Sequence, residues 1–332
     1  MIISRTPFRV SFFGGGTDYN DWFEDRNGAV LATTIDKYCY ISCRYLPPFF
    51  EHQSRIIYSI IETVRSLDDI QHPSVREVLR FLKIHEGVEI HHDGDLPART
   101  GLGSSSSFTV GLLNGLYALK GQMVTKERLA REAILVEQDM IKENVGCQDQ
   151  TLAAYGGFNL IEFGGTNHLR VQPLTIPAVK LNLLQDHLML FFTGFSRHAS
   201  SIAKVQIENI PRKKAELARM HEMVHEAVKI LNGNDLLKFG RLLDESWKLK
   251  RTLSDRISSA HIDDLYATAI RAGAVGGKLL GAGGGGFVLL FTEPSKQDKI
   301  RSKLKSLLEV PFKFENLGSQ IIFYQPDSGL IK

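Results

Sequence analysis

Pro97-Ala98-Arg99-Thr100-Gly101-Leu102-Gly103-Ser104-Ser105-Ser106-Ser107 runs directly into an apolar helix pattern, and its reading decides the fold. Glycine in such a run lets a ligand approach the main chain closely. Four hydroxyls then fall on the first turn of a helix, whose free N–H groups and dipole attract an anion. That combination holds nucleotide phosphates without a Walker lysine. No G-x-x-x-x-G-K-[ST] occurs in the sequence, which excludes the ordinary P-loop.

Outward from this run, the helix that it opens carries Phe108, Val110, Leu112, Leu113, Leu116 and Tyr117. It is apolar nearly all round and so belongs at the centre of the molecule. Upstream, residues 28–43 are rich in β-branched and aromatic side chains and read as paired strands. Residues 74–85 read as a helix with Val75, Val78, Leu79 and Leu82 on one face. Residues 88–90 read as a short strand before the turn-prone Asp93-Gly94-Asp95. Downstream, an amphipathic helix over about 125–143 is broken at Asn144-Val145-Gly146, and strands follow at 158–163 and 169–174. Pro173, Pro177 and a polar gap set the expected domain boundary near residue 180, dividing the chain into 1–180 and 181–332. The second half alternates strand (188–193), helices (199–253 and 263–272), strand (274–280), glycine run, strand (287–291), helix (296–308) and strand (320–324). This pattern is that of an α+β domain with an antiparallel sheet.

Composition narrows the class. The 332 residues suffice for two domains, with 43% hydrophobic and 23% charged residues as in ordinary globular proteins. A net charge of +3 with no block of like charges argues against a nucleic-acid binder. No apolar run approaches the ~18 residues of a membrane span, and Met1–Pro7 lacks a signal-peptide core. Cys39, Cys43 and Cys147 are too few and too unevenly placed for a disulfide framework or cysteine zinc site. A cytoplasmic protein with reduced thiols is expected; its oligomeric state, a homodimer included, is left open.

Two other glycine runs and one decoy motif stand elsewhere in the sequence. Gly281-Ala282-Gly283-Gly284-Gly285-Gly286 spells G-x-G-x-x-G but is followed by the strand pattern Phe287-Val288-Leu289-Leu290-Phe291. A dinucleotide fingerprint opens a helix, so the Rossmann reading fails on context. Close approach of bare backbone to a ligand or to the serine loop is the preferred reason for the run. Residues 6–20, TPFRVSFFGGGTDYN, set a strand against a glycine turn and a short acid, with Arg9 projecting on one side. His221-Glu222-Met223-Val224-His225 spells H-E-x-x-H, with Glu245 twenty residues after His225. The two histidines flank an apolar stripe, and a solvated pair is the expected outcome.

The three runs in this order resemble the GHMP kinases, which include galactokinase, homoserine kinase and the mevalonate kinases. The resemblance implies an N-terminal domain of mixed sheet and helices and a C-terminal ferredoxin-like domain. ATP would lie between them, its phosphates on Gly101, Leu102, Gly103, Ser104, Ser105 and Ser106. Asp149, in Val145-Gly146-Cys147-Gln148-Asp149-Gln150, matches the acceptor-side aspartate, and Arg9 matches the cation beside it. Glu137 and Ser105 are implied as the Mg²⁺ ligands. Gly16, Thr17, Asp18, Gly283 and Gly284 are implied to meet a sugar. Galactokinases carry Glu-His where this chain has Gly15-Gly16, which removes sugar contacts. The GGGTD form, with Thr193-Gly194-Phe195-Ser196-Arg197, is most similar to bacterial kinases of D-glycero-D-manno-heptose 7-phosphate, which make the 1,7-bisphosphate for GDP-heptose and surface polysaccharide. Arg197, Arg99 and Lys204 are then candidates for the substrate phosphate. A kinase of an unphosphorylated sugar such as fucose, and a non-catalytic sugar- and ATP-binding sensor, stay open as alternatives.

Overall fold

The computed structural model describes residues 1–47, 49–164, 169–194 and 199–326. Its first sheet is built on two long strands, Ile2–Phe13 and Gly28–Tyr45, antiparallel along most of their length. The β-rich stretch expected to form paired strands is therefore one strand of 18 residues. It serves two partners: its first part pairs with Phe158–Phe163 and its last part with Val88–Gly94. Asp93 and Gly94 continue that strand instead of turning. Register shifts at Pro7/Phe8 and Ser11/Phe13 let the strand pair bend around the core.

The serine helix spans Ser104–Leu119 and is buried over nearly its whole length, as its all-round apolar pattern requires. The Ser107 hydroxyl donates to the Pro7 carbonyl at 2.9 Å and pins the helix to the first strand. The amphipathic helix that follows is Lys126–Leu135, extended by a π-helical turn at Val136–Met140. A short helix, Gln148–Tyr155, then returns to the first strand.

The second sheet places Leu308–Glu309, Leu188–Phe192, Phe287–Phe291 and Gly276–Leu279 side by side, all antiparallel. Numbered along the chain this is order 4-1-3-2. Three helices, Ala199–Asn209, Lys214–Asn232 and Leu237–Arg251, and then Ala260–Ala272, separate its first two strands. Gln297–Lys303 separates the last two. That is the ferredoxin-like arrangement. The halves share one core: Phe12 of the first strand meets Phe239 of Leu237–Arg251 edge-on, ring centroids 5.4 Å apart.

Beyond the second sheet the chain crosses back. Phe314–Glu315 pairs with Gly28–Tyr45, and Gln320–Tyr324 covers the free edge of Ile2–Phe13. We propose the boundary near residue 180 for the outward crossing, with the strands after residue 313 assigned to the first sheet.

Candidate active site

Between the sheets lies a cavity of about 230 Å³. The serine loop lines one side and the Gly14–Asp18 turn lines the other. The loop enters its helix through Gly103 in the left-handed region, φ +77°. Arg99 has φ +62°, uncommon for a residue with a side chain, and it also lines the cavity. Ser104, Ser105 and Ser106 form the first helical turn, whose N–H groups have no intrahelical partner.

Arg9 crosses the floor of this cavity and is only 4% exposed. Its Nε donates to Asp149 Oδ1 at 2.7 Å and its Nη2 to Oδ2 at 2.6 Å, a bidentate grip. Its Nη1 donates to the Gly101 carbonyl at 2.6 Å, tying the acid to the serine loop. Asp149 lies in the first turn of Gln148–Tyr155, where the helix dipole favours its charge. Asp18 is buried nearby. Its Oδ1 accepts from the Gly16 N–H at 2.9 Å and its carbonyl from the Cys147 N–H at 3.0 Å. A side chain at Gly146 would strike the Asp18 carboxylate, so glycine is required there. Burial, with the neighbouring Asp149 charge, raises the Asp18 carboxyl above its ordinary range. Ser11 donates to Gln148 Oε1 at 2.7 Å and braces the same wall.

Glu137 sits on the π-helical turn, fully buried behind the serine helix. Its Oε2 accepts from the Ser106 hydroxyl at 2.8 Å and from Gln150 Nε2, while Oε1 has no partner. Burial pushes this carboxyl up to about 7. A buried carboxylate beside a hydroxyl at the end of the serine loop fits the oxygen ligands that magnesium takes together with phosphates. The hydroxyl is that of Ser106. Ser105 is exposed, because one residue along a helix turns the side chain by about 100°.

The glycine hairpin closes the cavity from the second domain. Gly101 and Gly281 meet at bare backbone: a Cβ on Gly281 would lie 2.5 Å from the Gly101 Cα, and both glycines have positive φ. Gly281 and Ala282 line the cavity. The expected sugar contacts Gly283 and Gly284 do not, because they pack on the turn at Ile257, whose carbonyl accepts from the Gly284 N–H at 2.9 Å. Thr17 is likewise absorbed into structure, its hydroxyl shared between the Gly14 and Ala29 carbonyls.

Residues 71–157 match the model of the GHMP kinases N terminal domain, and residues 223–310 that of the GHMP kinases C terminal. The chain belongs to the GHMP kinases. It is 29% identical over 321 residues to the D-glycero-alpha-D-manno-heptose 7-phosphate kinase of Campylobacter jejuni, covering 92% of this chain and 93% of that protein. It is 26% identical over 340 residues to the bifunctional fucokinase/GDP-fucose pyrophosphorylase of Arabidopsis thaliana, covering 93% of this chain and 32% of that longer protein. Among solved structures, a D-glycero-D-manno-heptose 1-phosphate kinase from Bacteriodes thetaiotaomicron superposes with TM-score 0.76. It is 22% identical and covers 96% of this chain and 98% of the other, which supports the shared fold.

Of the expected GHMP site residues, Arg9, Gly16, Asp18, Asp149 and the serine loop converge on one cavity. Leu102 is buried beneath the loop, and its carbonyl accepts from the Arg9 N–H at 3.0 Å. Arg99 reaches the cavity; Lys204 is exposed and does not line it; Arg197 lies outside the described residues. In the H-E-x-x-H stretch the rings of His221 and His225 meet edge-on at 5.2 Å, and Glu245 pairs with Arg219 at 3.0 Å instead of joining them. Among the described residues, no cluster of three or more His, Cys, Asp or Glu could hold a metal. Cavity residues that the sequence reading did not single out include Glu143, Ser200, Gln206, Lys250 and Lys278. The lysines left one faint signal, a cation where an apolar stripe or strand predicts none.

Proposed function

We propose that this chain transfers the γ-phosphoryl group of ATP to the anomeric hydroxyl of D-glycero-D-manno-heptose 7-phosphate, giving the 1,7-bisphosphate for GDP-heptose and surface polysaccharide synthesis. The observation that carries the transfer chemistry is the two-pronged Arg9–Asp149 pair, anchored through Gly101 to the phosphate loop. Asp149 accepts the hydroxyl proton as the acceptor oxygen attacks, a contribution of typically ~10²–10⁴-fold. Arg9 fixes the orientation of that carboxylate and screens charge developing between acceptor and phosphoryl group. The unpaired N–H groups at Ser104–Ser106 cradle the nucleotide phosphates. Glu137 and the Ser106 hydroxyl would hold Mg²⁺, whose chemistry there is neutralisation of phosphate charge. Asp18, oriented by the Gly16 N–H on Oδ1, takes a sugar hydroxyl.

The heptose reading is supported by the similarity to the Campylobacter kinase along nearly the full chain. A second reading, an unphosphorylated sugar such as fucose, is favoured by the similarity to the Arabidopsis fucokinase. Among the described residues no helix is long and apolar enough to cross a membrane; the cytoplasm, where ATP is supplied, is the proposed setting. A coupled ADP-release assay over heptose 7-phosphate, free heptose, fucose and galactose separates the readings. The expected result is a kcat/KM at least ~10-fold higher for heptose 7-phosphate. Preference for an unphosphorylated sugar overturns the substrate assignment and leaves the kinase chemistry intact.

A further inference from the structure

Two lysines line the cavity from the second half of the chain. Lys250 comes from the helix Leu237–Arg251 and Lys278 from the strand Gly276–Leu279; they are 5% and 2% exposed. Lys278 Nζ donates to the Phe12 carbonyl at 2.9 Å, and Lys250 Nζ donates to the Gly281 carbonyl. An ammonium carries three N–H donors, so each lysine keeps donors beyond its carbonyl. Among the described residues, neither has a carboxylate within ion-pair distance. Asp149 is gripped on both oxygens by Arg9, and Asp18 is turned onto the Gly16 N–H. Two buried cations beside a third, with no counter-ion in contact, are costly unless they shed a proton or an anion completes them. Burial and the neighbouring cations push the Lys250 ammonium down to about 8 and Lys278 well below its ordinary range.

We propose that Lys250 and Lys278 together bind a phosphate monoester carried by the acceptor, so that this pair sets the preference for a phosphorylated sugar. The proposal rests on the sugar-kinase reading above. The acceptor is favoured over the nucleotide for two reasons. Nucleotide phosphates already have the helix N-terminus at Ser104–Ser106. Lys278 hangs from Phe12, on the strand that leads into the Gly14–Asp18 turn, and shares the electrostatic field of Asp18.

The test compares Lys278→Met and Lys250→Met with the wild type on heptose 7-phosphate and on free heptose, at saturating ATP. The expected result is a loss of about 10²-fold in kcat/KM on the phosphorylated sugar, with little change on the free sugar and in the KM for ATP. Equal losses on both sugars overturn the proposal, and a raised KM for ATP reassigns the pair to the nucleotide. A wild type that does not prefer the phosphorylated sugar overturns the substrate reading itself. Retained preference in both variants sinks only the lysine pair. Should the variants fail to fold, reductive methylation of the wild type followed by mass spectrometry decides. Heptose 7-phosphate should protect both lysines where free heptose does not; equal protection by free heptose, or by ATP alone, refutes the assignment.

Discussion

The Arg9 guanidinium holds both oxygens of Asp149 and one carbonyl of the serine loop, so one side chain sets the distance between acid and loop. Asp149→Asn keeps the shape and loses the proposed base. Its kcat should fall at least ~10²-fold with an unchanged circular dichroism spectrum, and near-wild-type turnover would remove Asp149 from the chemistry. The pairing of Glu137 with Ser106 gives a second prediction. Ser106→Ala should raise the Mg²⁺ concentration for half-maximal rate by ~10-fold or more, whereas Ser105→Ala should leave it near the wild-type value. A Mg²⁺ titration of the two variants reads this, and the reverse order would restore Ser105. Much of the cavity lining was legible in the sequence, because Arg9, Asp18 and Asp149 each sit inside a glycine-marked motif. The choice among four consecutive serines was not, since helical phase depends on where the first turn begins. Lys250 and Lys278 were illegible for another reason: a lone lysine beside apolar residues reads as a side chain whose head reaches solvent.

Elements carry the next level of control. The π-helical turn Val136–Met140 inserts an extra residue per turn and aims Glu137 inward, beneath the serine helix. Composition and periodicity predict only a longer α-helix there, because one turn of wider winding leaves no mark in the hydrophobic pattern. The contact between the serine loop and the glycine hairpin is better marked, as runs of glycine demand close approach. What the sequence could not say is which glycines meet the loop and which meet the turn at Ile257. Gly281→Ala is the discriminating change. With φ +75° and the Gly101 backbone in its way, the variant should lose about 1–3 kcal/mol of stability and raise the KM for ATP. Thermal unfolding together with ATP kinetics checks it; an unaltered KM would detach the hairpin from nucleotide binding. Gly194→Ala, with open space around its Cβ, serves as the control for a positive φ alone.

For the whole molecule, burying cations between the domains makes stability depend on pH. The Lys250 ammonium falls from 10.5 to about 8, with burial the main cause and Arg9 adding repulsion against the pull of Asp18 and Asp149. A folded-state value below the unfolded one means the unfolded chain holds the proton longer. The contribution is therefore present above pH 10.5 and lost as pH falls through about 8. Relative to Lys250→Met, the wild type should gain on the order of 3 kcal/mol as pH rises across that window. Denaturant unfolding at pH 7.5 and 10.5 measures the gain, and parallel curves for the two proteins would exclude it. At this scale the two-domain α+β plan was legible from alternation of strands, helices and turns. The return of the chain was not: Gln320–Tyr324 reads as one more strand of the second domain, and nothing local says that its partner is Ile2–Phe13. That pairing has a consequence for biosynthesis. Ile2 is made long before Tyr324, the residue that covers the outer edge of its strand. Until then the ribosome-bound chain shows an unpaired, apolar strand edge of the kind that templates aggregation. Truncation of the final strand should therefore lower soluble yield more than the few contacts removed would suggest.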